Sequence, residues 1–532
     1  MRAYGPSGGD AGPDAIPPQG AAGAGRGRAA AVGFALGLAL GAGACDRSSG
    51  TPPQAVSPAA AVATTATADA TPTAAAVVPE TTAAAATAPA PAARPANLLL
   101  VTVDTLRADH LGFAGYPRDT SPELDRLARE GTWFRNCYAQ SSTTGASHAT
   151  LFSSLPPQKH GVYANKQRFP VEKPSLIAEL RRHGYATAGF ASSIVVGRKF
   201  GLQDLFEHFD DESTTKELNR VARGERPAVD TVAAVEQWLA QAPGDRPFFV
   251  WMHLIDPHGP YAAPEQPDRF VGDALDGKLG TRFPIGTDDF EPGHIPRYQN
   301  LDGRTDADYY VARYDAEIRY ADGYLGRLFA FLREHGLDRD TLVVVTADHG
   351  ETLAEPGHRL LFSHGNVTYE ETSRVPLVVR EPRGEHRLAA LAPEAPIGLI
   401  DLAPSALALL GFKSPADFEG RDVLRQLRKS GEPMFTWGAY GTRRLENEIG
   451  TQFSVRDGDL RYVRNSASGT EELYDHRGDP TEARDVAAAR EADVARLRGL
   501  VTAQLGTASV PAPMKTMTPE HVESLKALGY VE

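Results

Sequence analysis

Three apolar runs in this chain each end in side chains able to hold a cation. Asp104 follows residues 97–103, Asp256 and His258 follow 247–254, and Asp348-His349 follows 341–346. Burying carboxylates at such places is costly unless a cation or hydrogen-bond donors compensate. Carboxylate oxygens with one imidazole suit a hard divalent ion such as Ca, Mg or Mn, and zinc if further histidines join. A fourth stretch, 141–152, is a hydroxyl-rich turn containing Ser142, Thr143 and Thr144 that runs into an apolar helix. The amides and positive dipole end of that helix favour an anionic ester and an ionising hydroxyl. A divalent ion beside it would lower the alcohol's proton affinity and polarise the ester.

These groups need a scaffold that delivers strand ends to one place. Continuous apolar runs at 97–103, 186–190, 247–254 and 341–346 read as strands buried on both faces. Between them lie helical patterns: one begins at Ser121-Pro122 and stops at Gly131, and another carries Leu176, Ile177 and Leu180 before Gly184. Two more span 229–240 and Ile318 to Leu332. Alternation of strand and helix predicts an α/β fold, a large mostly parallel sheet flanked by helices on both faces. In such sheets ligands sit beyond the carboxyl ends of strands. After Phe412, short runs at 435–439, 452–456, 460–463 and 471–474 predict a small antiparallel sheet, followed by a helix from Thr481 to about Leu500.

The chain has 532 residues, 55 Lys and Arg against 68 Asp and Glu, and a net charge of −13, which argues against a general nucleic-acid partner. Its two cysteines, Cys45 and Cys137, can build neither a disulfide framework nor a thiolate zinc site. Arg26 and Arg28 precede an apolar run from Ala29 to Ala44, the pattern of an export signal and too short for a membrane span. Ala42-Gly43-Ala44-Cys45 resembles a bacterial lipobox, with Ala42 in place of its usual leucine, which predicts acylation of Cys45 and a lipid anchor in the cell envelope; a simply cleaved signal and a retained anchor or no signal are the alternatives. From Thr51 to Ala90, 32 of 40 residues are Ala, Thr or Pro, so 46–94 reads as a disordered tether. The organisation is therefore a signal (1–45), a linker (46–94), a catalytic domain (95–412) and a C-terminal subdomain (413–532).

With these residues in view, the chain from about Asn97 to Glu532 resembles the sulfatase family of the alkaline-phosphatase superfamily. The resemblance rests on five stretches in order: NLLLVTVDTLRAD (97–109), TGASHATLFSS (144–154), FFVWMHLIDPHGP (248–260), TADHGE (346–351) and HGNVTYEETSRVP (364–376). Leu473-Tyr474-Asp475 with Asp479-Pro480 is similar to the family's C-terminal lobe. Carried over residue by residue, the resemblance implies that Asp104, Asp348 and His349 hold a metal, with Gly350 making a tight turn beside it. It implies that His258 lies near the scissile oxygen and that His364 contacts substrate or a second metal, with His358 a less secure neighbour. Asn165 and Lys166 stand where the family often contacts substrate.

Two departures redirect the chemistry. The family's formylglycine position is Thr144, in a frame fixed by Ser147, and the family's arginine there is His148; Ser147 and His148 are counted with the substrate-contacting positions. Threonine bears a methyl on Cβ and cannot become an aldehyde, but its hydroxyl can attack phosphorus directly, as in the related nucleotide phosphodiesterases and phosphoethanolamine transferases. Thr105 replaces the second aspartate of the family's pair. Asp256, His258 and His364 are the candidate donors for a second metal.

Blander readings stand beside these. Thr144 could be a helix-capping residue, and His258 a turn histidine. His253, inside its strand, reads as a satisfied core residue, and Cys137 as a small buried filler. Arg107 either binds the substrate's anion or pairs with Asp109, and Asn165 and Lys166 could be a solvated loop. The sequence thus predicts a metal-dependent hydrolase of sulfate or phosphate esters, with Thr144 as nucleophile, a metal ligand as well, and His258 or His364 as acid. Its substrate would be a sulfated or phosphorylated small molecule or glycan. The alternatives are a phospho-group transferase acting on surface glycans or lipids, and a silent protein that binds anionic glycans.

Overall fold

Hydrophobic runs and their interruptions order the chain around one large sheet. In the computed structural model the described residues are 96–505 except 166, 274–278, 290, 359, 392–393, 430, 439–451 and 467. The signal through Cys45, the tether at 46–94 and Lys166 lie outside them. The sheet uses β1 (Asn97–Val103), β2 (Thr132–Trp133), β3 (Ala186–Phe190), β4 (His208–Asp210), β5 (Phe248–Leu254), β6 (Thr341–Ala347) and β7 (Leu377–Arg380). Their order is β2-β7-β6-β1-β5-β3-β4. The β6-β1-β5-β3-β4 run is parallel, whereas β7 lies antiparallel to both β6 and β2. The mostly parallel sheet is therefore as predicted, with β4 and the β7 edge as additions that their brevity conceals in the sequence.

Side chains alternate along β1 between two helical layers. Leu98 and Leu100 face Leu176 of α3 (Leu176–Arg182) and Leu402 and Ala406 of α6 (Leu402–Leu409). On the same face sits α2 (Thr144–Ser153), all ten of whose residues are buried. The opposite layer is α1 (Pro122–Glu130), α4 (Ala228–Gln241) and the 28-residue α5 (Ala307–Glu334), with α5 packed against the other two. The Ser121 hydroxyl does not cap α1: it donates to Asp125 at 3.0 Å and accepts from the Gly112 amide. Instead Asp322 of α5, fully buried, accepts from the Glu123 and Leu124 amides.

The second sheet is antiparallel, β8 (Met434–Trp437), β9 (Gln452–Asp457), β10 (Leu460–Asn465) and β11 (Glu471–Asp475) in that order. It packs on Val494, Leu497 and Val501 of α7 (Glu491–Leu505). The helix expected from Thr481 starts ten residues later. Asp479 accepts from the Ala483 and Arg484 amides, Glu482 adopts φ +54°, and the loop so formed carries Glu482 to His476 and Arg461. This lobe reaches the start of α2 directly: Trp437 donates to the Gln140 carbonyl and accepts from the Ser142 amide, two residues before Thr144.

Candidate active site

Register brings the predicted donors level. Val103 of β1 pairs with Leu254 of β5 on one side and Ala347 of β6 on the other. The residues that follow, Asp104 and Asp348, therefore leave the sheet side by side. Asp104, Asp348 and His349 are buried, and their ligand atoms lie within 4.8 Å of one another. Gly350 is required, but not for a turn with unusual dihedrals. A Cβ there would stand 1.9 Å from the Glu371 carbonyl oxygen, which passes directly beneath the loop.

The chemistry of this donor set fits a cation. His349 Nδ1 lies 3.0 Å from the Gly350 carbonyl, which can only accept, so Nδ1 carries the proton and Nε2 presents a lone pair. That lone pair faces Asp104 Oδ1 at 3.7 Å and Asp348 Oδ2 at 3.5 Å. Both carboxylate oxygens are buried with no hydrogen-bond partner. Two buried carboxylate oxygens converging without a donor are unstable unless a positive ion sits between them. Burial accordingly pushes Asp104 up to about 7. Asp348 Oδ1 is spoken for, accepting from its own neighbour's amide at 2.9 Å and from Thr105 at 3.4 Å. Thr105 itself is held at φ +56°, a strained setting for a β-branched residue.

Thr144 opens α2 with its Oγ1 3.3 Å from His349 Nε2, so the hydroxyl borders the same cluster. Ser147 and His148, one turn on, are fully buried, and each fastens this helix to the sheet rather than facing substrate. Ser147 Oγ donates to the Asp348 carbonyl at 2.6 Å, tying the helix to the loop that follows β6. His148 Nδ1 donates to the Thr144 carbonyl at 2.8 Å, and its Nε2 accepts from Thr102, which accepts in turn from Trp251. Asn165 comes back to the site: its Oδ1 accepts from the Gly145 amide at 2.9 Å, next to Thr144.

His258 and His364 form the other wall, their ring centroids 5.0 Å apart, with His364 4.6 Å from His349. His258 Nδ1 donates to the Gly259 carbonyl at 2.7 Å, leaving Nε2 free; His364 Nδ1 meets Glu351 Oε1 at 3.1 Å. Burial lowers His364 to about 4 and His258 well below its ordinary value, and the Arg220 and Arg223 charges lower both further. Those arginines come from a hairpin, Thr215–Glu217 with Arg220–Glu225, and Arg220 stacks 3.7 Å over Tyr298.

Several expectations change. Asp256 does not meet His258 and His364 as a common ligand set. Its Oδ2 accepts from the Ala228 amide at 2.9 Å, at the start of α4. Arg107 is taken up by Asp109 and Glu355 and donates to the Glu351 carbonyl, which settles the choice in favour of ion pairing. His358 stands apart, paired with Glu371 at 2.7 Å and raised to about 9 by that carboxylate against the cost of burial. His253 is no satisfied core residue: its Nε2 is buried without a partner, 3.4 Å from Asp104 Oδ2. Cys137 is a buried filler, as expected. Sequence reasoning missed Glu351, His253 and Arg220; only Glu351 carried a signal, by its place after Asp348-His349-Gly350.

Comparison with known proteins agrees with this architecture. The family profile described as Sulfatase matches residues 96–412. The uncharacterized sulfatase YidJ of Escherichia coli (strain K12) is 26% identical over 426 residues, covering 73% of this chain and 82% of that protein. The multifunctional alkaline phosphatase superfamily protein PehA of Trinickia caryophylli is 27% identical over 409 residues, 63% of this chain and 78% of its own. Among solved structures, the phosphonate monoester hydrolase of Agrobacterium radiobacter shares the fold with a TM-score of 0.59 at 21% identity, over 77% of this chain and 95% of that one. Fold and site together define an ester hydrolase of the alkaline-phosphatase superfamily. Within it, the chain belongs to the sulfatase family.

Proposed function

We propose that this protein hydrolyses phosphate esters, with Thr144 as nucleophile beside one divalent cation held by Asp104, Asp348 and His349. The observation that carries the reading is the Thr144 hydroxyl at 3.3 Å from the proton-free Nε2 of His349, at the edge of a cluster of unpartnered carboxylate oxygens. When bound, the cation supplies the positive charge that favours an ionised hydroxyl and a polarised ester. The methyl on Thr144 Cβ bars the aldehyde route to sulfate release, so direct attack is the chemistry open to this side chain. The kinship with a protein named as a phosphonate monoester hydrolase supports phosphorus as the reacting centre.

Attack forms the Thr144 Oγ–P bond as the ester P–O bond breaks. Both rings are held neutral in the free site, and an incoming anionic ester raises their proton affinity. The proton that the Thr144 hydroxyl loses is taken up at Nε2 of His258 or His364 and passed from there to the departing oxygen. The imidazole, neutral again, then removes a proton from water, whose oxygen displaces Thr144 from phosphorus, and returns that proton to the Thr144 oxygen. Asn165 holds the Gly145 amide and keeps the first turn of α2 in place. We further propose that the enzyme is exported and anchored through acylated Cys45. Turnover of an aryl phosphate, a bis-aryl phosphate and an aryl sulfate, with Ca, Mg, Mn and Zn supplied in turn, tests the reaction. Faster phosphoester cleavage is the expected result; preferential cleavage of the sulfate overturns it.

A further inference from the structure

Resting on the cation centre just proposed, we infer that His253 is an additional ligand of that cation, giving the site two imidazoles and two carboxylates. The tautomer of His253 is fixed by its surroundings. Ser192 Oγ donates its single proton to the His253 carbonyl at 2.7 Å, so at 3.0 Å from the ring it can only accept. Nδ1 therefore carries the hydrogen and Nε2 is a bare lone pair, fully buried and without a partner.

That lone pair points at Asp104. Nε2 and Asp104 Oδ2 are 3.4 Å apart, too far for a charge-assisted hydrogen bond of about 2.7–2.9 Å. Two donors each about 2.1 Å from one tetrahedrally coordinated ion stand about 3.4 Å apart. Asp104 thus turns one oxygen to His349 and the other to His253. Asp348 lies within 4.8 Å of the ligand atoms of both histidines. His148 belongs to the same neighbourhood but is excluded as a donor, because the Thr144 carbonyl and the Thr102 hydroxyl occupy both of its nitrogens.

The added nitrogen has a consequence for metal choice. Two carboxylates neutralise one divalent charge, and two imidazoles favour zinc over calcium or magnesium. His253 also supplies a donor in a centre where Thr105 offers no carboxylate.

The test is metal binding by the purified full chain, stripped with chelator and reloaded. His253→Asn removes the Nε2 donor while keeping an amide that can reach Ser192. It should weaken zinc at least about tenfold, shift the visible absorption of the cobalt(II)-loaded protein, and leave calcium affinity within about twofold. Unchanged zinc affinity with an unchanged cobalt spectrum in a folded His253→Asn protein overturns the inference. Should that variant fail to fold, His253→Gln serves, and the same two readings decide. Asp348→Asn separates this inference from the proposed function. If it too binds zinc as the unaltered chain does, the cation centre itself falls; if only the His253 variants are silent, His253 alone is struck from the donor set.

Discussion

Two clusters of buried ionisable groups lie close together in this molecule, and they are built on opposite terms. Around Arg107 and Arg461 each carboxylate meets an arginine or a histidine. Arg107 holds Asp109 and Glu355, Arg461 holds Glu370 and Glu482, His358 pairs with Glu371 and His476 with Glu482. At the strand ends no arginine pairs with Asp104, Asp348 or Glu351 among the described residues, and each keeps a buried oxygen with no partner. The first arrangement holds the C-terminal lobe and the catalytic loop in register. The second fits the cation proposed for it. Imbalance, rather than burial of charge as such, marks the functional site.

Substitutions should therefore behave in opposite ways. The largest effect is expected from Asp348→Asn, which removes a cation ligand: phosphoester turnover should drop at least about 10³-fold with little change in melting temperature, measured by steady-state kinetics and calorimetry. Arg461→Met should do the reverse, leaving Glu370 and Glu482 buried without their cation at a cost of about 3–5 kcal/mol, read from denaturant unfolding. If Arg461→Met is neutral, the balanced network is not what secures the lobe.

The smallest effect sharpens the contrast through pH. In the cation-free protein Asp104 titrates near 7, above its ordinary 3.8, so between those values the folded state binds more protons than the unfolded one. Stability should fall as pH rises from about 4 to about 7 through this group, and Asp104→Asn should flatten that decline. Loading the cation should flatten it too. Melting curves across this range, with and without metal, check the point.

Much of this was legible in the sequence, for a physical reason. An apolar run long enough to be a central strand, closed by an aspartate, announces both the element and the polar group at its end. Asp104 and Asp348-His349 were readable on that ground. His253 was not, because within β5 its position reads as core, and only the Ser192 hydroxyl, 61 residues away, reveals its bare nitrogen. Asp256 misled for the converse reason: it has the look of a ligand, yet the free amide at the start of α4 claims it. The first part of α5 was hidden because Asp315 and Glu317 are buried and break its apolar period. The segment after Thr481 has helix-forming composition, overruled by the Asp479 turn.

Trapping the covalent intermediate tests the central claim most directly. The protein is mixed with an aryl phosphate, quenched in acid during turnover, and its peptides are mapped by mass spectrometry. One phosphoryl group is expected on Thr144, absent from Asp348→Asn and Thr144→Ala. A phosphoryl group on another residue, or full turnover by Thr144→Ala, would contradict it.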